Sequence, residues 1–142
     1  VLPEQRLLDK MARHTNLHFQ VSCDGFGATG ENIRVGWNEN TFIHNLQVIQ
    51  KLFPKENISI HYTLSRYNLH TLLADIQRFQ ELGIHHNQFE INVLQRPHNM
   101  QYNKSEKISE QLIEDFLSFT SINKKLQQNV HQIVSNIDIR RL

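Results

Sequence analysis

Three short runs of this chain alternate apolar and polar residues with the period of a β-strand, and each stops on a turn-forming or polar group. Leu17 to Cys23 runs into Asp24-Gly25, Ile58 to Ser65 into Arg66-Tyr67-Asn68, and Phe89 to Leu94 into Gln95-Arg96-Pro97. In the second run Ile58, Ile60, Tyr62 and Leu64 alternate with Ser59, His61, Thr63 and Ser65. One face of that strand is therefore more polar than a buried parallel strand usually is.

Helical spacing fills the intervals. Leu2-Pro3-Glu4 opens a first helix, with Pro3 near the first turn, Glu4 at the positive end, and Leu7, Leu8 and Met11 as its apolar stripe. The stretch from Asp24 to Asn38 holds Gly25, Gly27, Gly30 and Gly36 and reads as loop. Asn38 or Asn40 caps the next helix, which carries Phe42, Leu46, Ile49 and Phe53 and ends at Pro54. Asn68 is placed to cap a helix from Leu69 to Leu82, closed by Gly83. Ser105 opens a helix bearing Ile108, Leu112, Ile113, Phe116 and Leu117, and Leu126, Val130, Ile133 and Val134 mark a last one.

The resulting order is α-β-α-β-α-β-α-α, with strand starts about 30 to 40 residues apart, the rhythm of right-handed βα units. This predicts an α/β fold with three parallel strands and flanking helices. Three strands cannot close a barrel and leave two open edges, so part of the sheet is expected elsewhere. Ligands in such folds sit at the carboxyl ends of the strands, where the polar groups of all three runs fall.

Composition narrows the classes. The chain has 142 residues, 39% hydrophobic and 20% charged, which suits one folded domain rather than a disordered tail. No stretch approaches the ~18 consecutive apolar residues of a spanning helix, so no membrane role is indicated. Fifteen basic against fourteen acidic residues give a net charge of +1, and no nucleic-acid partner is indicated. The nine histidines are scattered without metal-ligand spacing, and one cysteine excludes an internal disulfide or a Cys-rich metal site within this chain. A reducing, cytoplasmic location is the plain expectation. A start at Val1, inside a helical pattern, points to a fragment or a processed product.

Four stretches carry a resemblance. They are Phe19-Gln-Val-Ser-Cys-Asp-Gly25, Ile33-Arg34-x-Gly36-Trp37, His61-Tyr-Thr-Leu-Ser65-x-x-Asn68 and Asn92-Val-Leu-x-x-Pro97. In order and spacing they resemble the C-terminal half of the core of radical S-adenosylmethionine enzymes, in the group with a short "twitch" auxiliary domain. The resemblance covers roughly residues 2 to 115. It implies a partial (βα)6 barrel of which residues 1–117 supply the last three strands, with 118–142 a terminal helix or a linker toward an auxiliary region. In that family three cysteines hold a 4Fe-4S cluster that binds S-adenosylmethionine and cleaves it to a 5′-deoxyadenosyl radical. This chain has no CxxxCxxC motif, so the cluster ligands are expected on the missing N-terminal half of the barrel. The substrate is expected to be a peptide or a small molecule.

The same resemblance implies a set of cofactor contacts. Ser22 and Asp24 match the polar end of the fourth strand, near the methionine or ribose. Gly25 frees the turn beneath it. Arg34 matches an arginine that holds a carboxylate or braces the loop. Ser65 and Asn68 match fifth-strand groups that meet ribose hydroxyls and the carboxylate, and Leu94 and Gln95 match sixth-strand groups beside adenine. No catalytic residue is expected on this chain.

Plainer readings compete with each of these. Asp24-Gly25 suits any turn, Arg34 a structural ion pair, and Asn68 a helix cap. Cys23 alternates with Ser22 and Asp24 and is expected as a small buried hydrophobe. His61 shares a face with Thr63 and Ser65, which places it on a barrel's inner wall or in a polar core. Trp37 and Tyr67 either cover a ligand or pack, and His85-His86 is solvated. Gly25 to Gly30 does not match GxGxxG, and no phosphate-loop motif occurs. A non-catalytic α/β binding module is the alternative to the enzyme.

Overall fold

The structure, a computed structural model, describes residues 2–14 and 16–93. Its elements are Gln5–Met11 (α1), Phe19–Ser22 (β1), Gly27–Ile33 (α2), Glu39–Leu52 (α3), Ile58–Leu64 (β2), Leu72–Glu81 (α4) and Phe89–Val93 (β3). Short 3-10 turns at Lys55–Asn57 and His86–Gln88 lead into β2 and β3. Leu94, Gln95 and the helices expected over 105–117 and 126–134 lie outside the described residues.

The three strands form one parallel sheet in the order β1-β2-β3. Phe19 pairs with Ile58 and Val21 with Ile60, while Ile60 pairs with Phe89 and Tyr62 with Ile91. Paired residues of neighbouring strands share a face, so this register gathers the apolar residues on one side. On that side Ile58, Ile60, Tyr62 and Leu64 of β2 are all buried, with Phe89 and Ile91 of β3. The helices complete the layer through Leu46 and Ile49 of α3 and Leu72, Ile76 and Phe79 of α4, which form a continuous core with the strands. Phe79 sits at its centre, edge-to-face with Phe26 at 4.7 Å and with Phe89 at 5.1 Å.

The other side carries Gln20 and Ser22, then Ser59, His61 and Thr63, then Glu90 and Asn92. It is polar across all three strands. The sheet is open, with one apolar, helix-covered face.

Local signals explain several boundaries. Asn38 accepts a hydrogen bond from Thr41 N at 2.9 Å and caps α3, as expected. Gly83, at φ +83°, closes α4: its N–H reaches Gln80 O and the N–H of Ile84 reaches Phe79 O, both at 3.0 Å. Two expectations need correction. The stretch expected as loop from Asp24 to Asn38 contains α2: Gly27, at φ +54°, opens it and donates its N–H to Glu39 Oε2, and Gly30 sits where close packing leaves no room for a side chain. The helix expected from Leu69 begins instead at Leu72 behind Thr71, and Asn68 does not cap it. The turn from Ser65 to Thr71 holds Asn68 for a different task.

Gly30 shows how tightly α2 is seated. A Cβ there would fall 2.5 Å from Gly25 O and 2.8 Å from the Trp37 ring, whereas at Gly36 (φ +79°) it would meet nothing within 4 Å. Gly30→Ala therefore tests pure contact and Gly36→Ala pure backbone strain. Urea unfolding should show a loss of about 3 kcal/mol for Gly30→Ala, the upper range of overpacking, and about 1 kcal/mol for Gly36→Ala. A larger loss at Gly36 would mean that α2 does not rest on the Gly25 turn.

Candidate functional site

β1 and β2 part company at their carboxyl ends, and side chains take over where the ladder stops. Cys23 N still donates to His61 O at 3.0 Å. In a regular parallel pair Thr63 N would donate next to the backbone of β1. It donates instead to Asp24 Oδ1, at 2.8 Å. Asn68 closes the same gap from the other side. Its Nδ2 donates to Asp24 O at 2.8 Å and to Thr63 O at 2.9 Å, while its Oδ1 accepts from Ser65 N at 2.7 Å. The Ser65 hydroxyl adds longer bonds to Asn68 Oδ1 and Tyr67 N, both 3.3 Å. Asn68 is fully buried and every one of its amide contacts is local to this rim.

Arg34 reaches the same carboxylate from the end of α2. Its Nε and Nη2 both lie 2.7 Å from Asp24 Oδ2. Asp24 is buried (6% exposed side chain) and Arg34 is 42% exposed, so the pair joins an interior acceptor to a solvent-facing fork. Two of the five guanidinium N–H groups face Asp24, which leaves the outer Nη1 edge for another acceptor.

Beneath the rim lies a second polar group. Asp75 of α4, itself buried, accepts from Tyr62 Oη at 2.6 Å, Thr71 Oγ1 at 2.9 Å and Phe26 N at 3.4 Å. Burial, and then the bond to Asp75, hold the Tyr62 phenol far above its usual range. Cys23 is wholly buried beside them, with Sγ 3.4 Å from Gly25 O. Burial pushes its thiol up to about 12, so it is a protonated core residue at neutral pH, as its strand phase predicts.

The structure thus brings Asp24, Gly25, Arg34, Ser65 and Asn68 together from three separate segments. Asp24, Ser65 and Asn68 face one another rather than solvent, while Ser22 is exposed. Ser22 and Arg34 line a cleft of about 500 Å³ along the outer edge of β1, whose apolar wall includes Phe19, Trp37 and Phe42. The Trp37 indole Nε1 is buried with no acceptor among the described residues. Leu94 and Gln95 lie outside the described residues. Among the described residues no cluster of three or more potential metal ligands occurs, and no helix is long and apolar enough to cross a membrane.

Sequence reasoning missed two arrangements. Asp75 falls within the helix expected from Leu69 to Leu82, and its sequence position three residues before Arg78 gives no hint of a buried acceptor. Glu90 and Gln20 flank His61 on the open face, and His61 Nε2 is within hydrogen-bonding reach of Gln20 Nε2 and Glu90 Oε2. Aligning the polar phases of the three strands would have found that row. At the amino end of the same face His18 Nε2 lies 3.0 Å from Ser59 Oγ. No protein-family model, no curated protein and no solved structure matches this chain.

Two predictions follow from this geometry. Asn68→Ala leaves Ser65 N and two carbonyls without their partner and should cost about 3 kcal/mol in urea unfolding; Ser65→Ala, which removes longer bonds, should cost about 1 kcal/mol. The reverse order would show that the amide is not what holds the rim. The second concerns alkali. An unfolded thiol ionises near 9.0 while folded Cys23 keeps its proton until about 12. Its contribution to stability is therefore complete below pH 9 and is lost as pH rises from 9 toward 12, because there the unfolded chain sheds the proton first. Tyr62, shifted in the same direction, adds to this alkaline loss. Cys23→Ala should flatten part of the fall in stability above pH 9, measured by denaturant midpoints across pH. An unchanged alkaline limb would mean that Cys23 is not buried as described.

Proposed function

We propose that this chain is the outer-wall half of a radical S-adenosylmethionine enzyme's partial barrel, holding the cofactor at the carboxyl rim of its strands. The observation that carries the reading is the convergence of Asp24, Arg34, Ser65 and Asn68 on one rim of a parallel sheet. The parallel order of all three strands and the polar face opposite the core are what a barrel wall of this kind requires.

The bond geometry redistributes the roles within that set. Asp24, Ser65 and Asn68 are satisfied by one another and brace the rim. Ser22, with an exposed hydroxyl, and Arg34, with an unoccupied guanidinium edge, are the groups that meet a carboxylate or ribose. Gly25, at φ +147° and packed against Thr29, lets the backbone pass close under the ligand. When bound in a complete enzyme, the cofactor supplies a radical that removes hydrogen from substrate; this chain's share is to place it. A 4Fe-4S cluster does not fit the residues present. It needs several exposed thiolates, and the single cysteine is buried and protonated. Its ligands would come from the N-terminal half of the barrel.

A second reading has its own support. A rim whose carboxylate and amide are fully engaged internally is also what a non-catalytic α/β binding module would show.

Titrating S-adenosylmethionine into the isotope-labelled chain should move the amide resonances of Ser22, Gly25, Arg34 and Ser65 along one saturable curve. Arg34→Ala should weaken that binding about tenfold, the scale of one charge-assisted contact. A flat titration, or shifts gathered around Lys55 and His86 at the opposite end of the sheet, would retire the reading. Anaerobic reconstitution of the protein expressed from its complete coding sequence then separates enzyme from module, by release of 5′-deoxyadenosine under reductant.

A further inference from the structure

The polar face of the sheet holds a cluster that the rim does not use. Gln20 of β1, His61 of β2 and Glu90 of β3 form a row across all three strands, joined through His61 Nε2. The register explains the alignment: His61 pairs with Glu90 directly and with Ser22, the residue two beyond Gln20 on the same face. His61 and Glu90 side chains are 28% and 38% exposed, so the row is reachable from solvent.

One ring nitrogen cannot donate to a carboxylate and accept from an amide N–H through the same in-plane position. The consistent arrangement puts the proton on Nε2, donated to Glu90, with the Gln20 amide turned to offer its carbonyl. A carboxylate that holds one imidazole nitrogen as N–H fixes the tautomer and leaves the other as a lone pair. That other nitrogen, Nδ1, has no partner among the described residues. The strand side chains of this face carry one carboxylate, Glu90, and no lysine or arginine. They therefore favour a neutral or cationic ligand over an anionic one.

We propose that the Gln20–His61–Glu90 row is a proton-accepting binding site for a neutral or cationic polar ligand that offers an O–H or N–H group to His61 Nδ1. The proton moves from the ligand oxygen or nitrogen to Nδ1 and the bonding pair stays on the ligand atom. The imidazolium formed is balanced by Glu90, and the proton returns to the ligand or to water. Gln20 fixes the ring from the β1 side, while Ser22, Thr63 and Asn92 supply hydrogen-bonding groups around it. The site stands on the sheet face alone and does not depend on what the rim receives.

The test uses the full 142-residue chain with labelled histidine, and Tris as a cationic polyol-amine probe against acetate as the anionic control. Imidazole nitrogen shifts should report the Nε2–H tautomer for His61. Tris should move the His61 ring resonances saturably and acetate should not. Glu90→Gln should weaken the Tris effect roughly tenfold, and His61→Gln should abolish its effect on the Gln20 and Asn92 side-chain amides. Amide dispersion confirms that both variants fold. An Nδ1–H tautomer, equal responses to Tris and acetate, or undiminished Tris binding in Glu90→Gln would each overturn the proposal. Because S-adenosylmethionine is absent from this experiment, failure of the rim reading and failure of this site are told apart.

Discussion

Two strands that twist apart must either end their ladder or find something to continue it. Here Asp24 and Asn68 continue it. The carboxylate accepts the N–H that β1's backbone no longer reaches, and the amide donates to Asp24 O, just past β1, and to Thr63 O of β2. Buried backbone groups left without partners would each cost on the order of 1–3 kcal/mol, so the turn at Gly25 and the loop from Ser65 to Thr71 are tolerable only because these two side chains are present. Arg34 answers the remaining oxygen of Asp24 and so ties the end of α2 to the same point. The rim is rigid where it is buried and polar where it is exposed.

That constraint reaches down into the core. With the strand ends fixed, Phe26 is held against α3 and α4 by its ring contacts with Phe42 and Phe79 and by its N–H to Asp75. Asp75 in turn fixes Tyr62, the one polar-tipped residue of the apolar phase of β2. A buried carboxylate with several donors is an expensive way to fill space, since leucine would pack without desolvation. Its return is positional: it couples the N-terminal turn of α4 to the middle of the sheet and to the segment that opens α2. Displacing one of these elements would unsatisfy groups in the other two.

The sequence made the periodic parts legible. Alternation located β1, β2 and β3, Asn38 marked the start of α3, and Gly83 marked the end of α4, because each is a local rule acting on neighbouring residues. What it could not separate were residues whose type suits two jobs. Asn68 has the composition of a cap and serves as a bridge, since the same amide that can hold a helix N–H can hold two carbonyls. Gly27 and Gly30 lowered the helical signal of α2 although Gly30 is there to let Trp37 and the Gly25 carbonyl approach. Arg34 meets its ion-pair reading at Asp24, while its other edge faces outward. The Gln20–His61–Glu90 row needed the register of three strands, which no single segment encodes.

The two faces of the sheet differ in what can lie against them. Parallel strands are nearly always covered on both sides, because their crossovers place helices there and their backbones are poorly protected otherwise. Here α3 and α4 serve the apolar face, and the opposite face is built from glutamine, serine, threonine, histidine, glutamate and asparagine. A face of that kind is unsuited to a layer of packed helices, which would strand its polar groups away from water. It suits a surface where solvent or a polar ligand satisfies the side chains that the strands present. The outer edge of β1 is consistent with the same geometry. Gln20 and Ser22 direct their backbone groups away from β2, toward the cleft that Trp37 and Phe42 line. A further parallel strand laid there would extend the polar wall on one face and cover the aromatic residues on the other, so that one addition would answer both exposed surfaces.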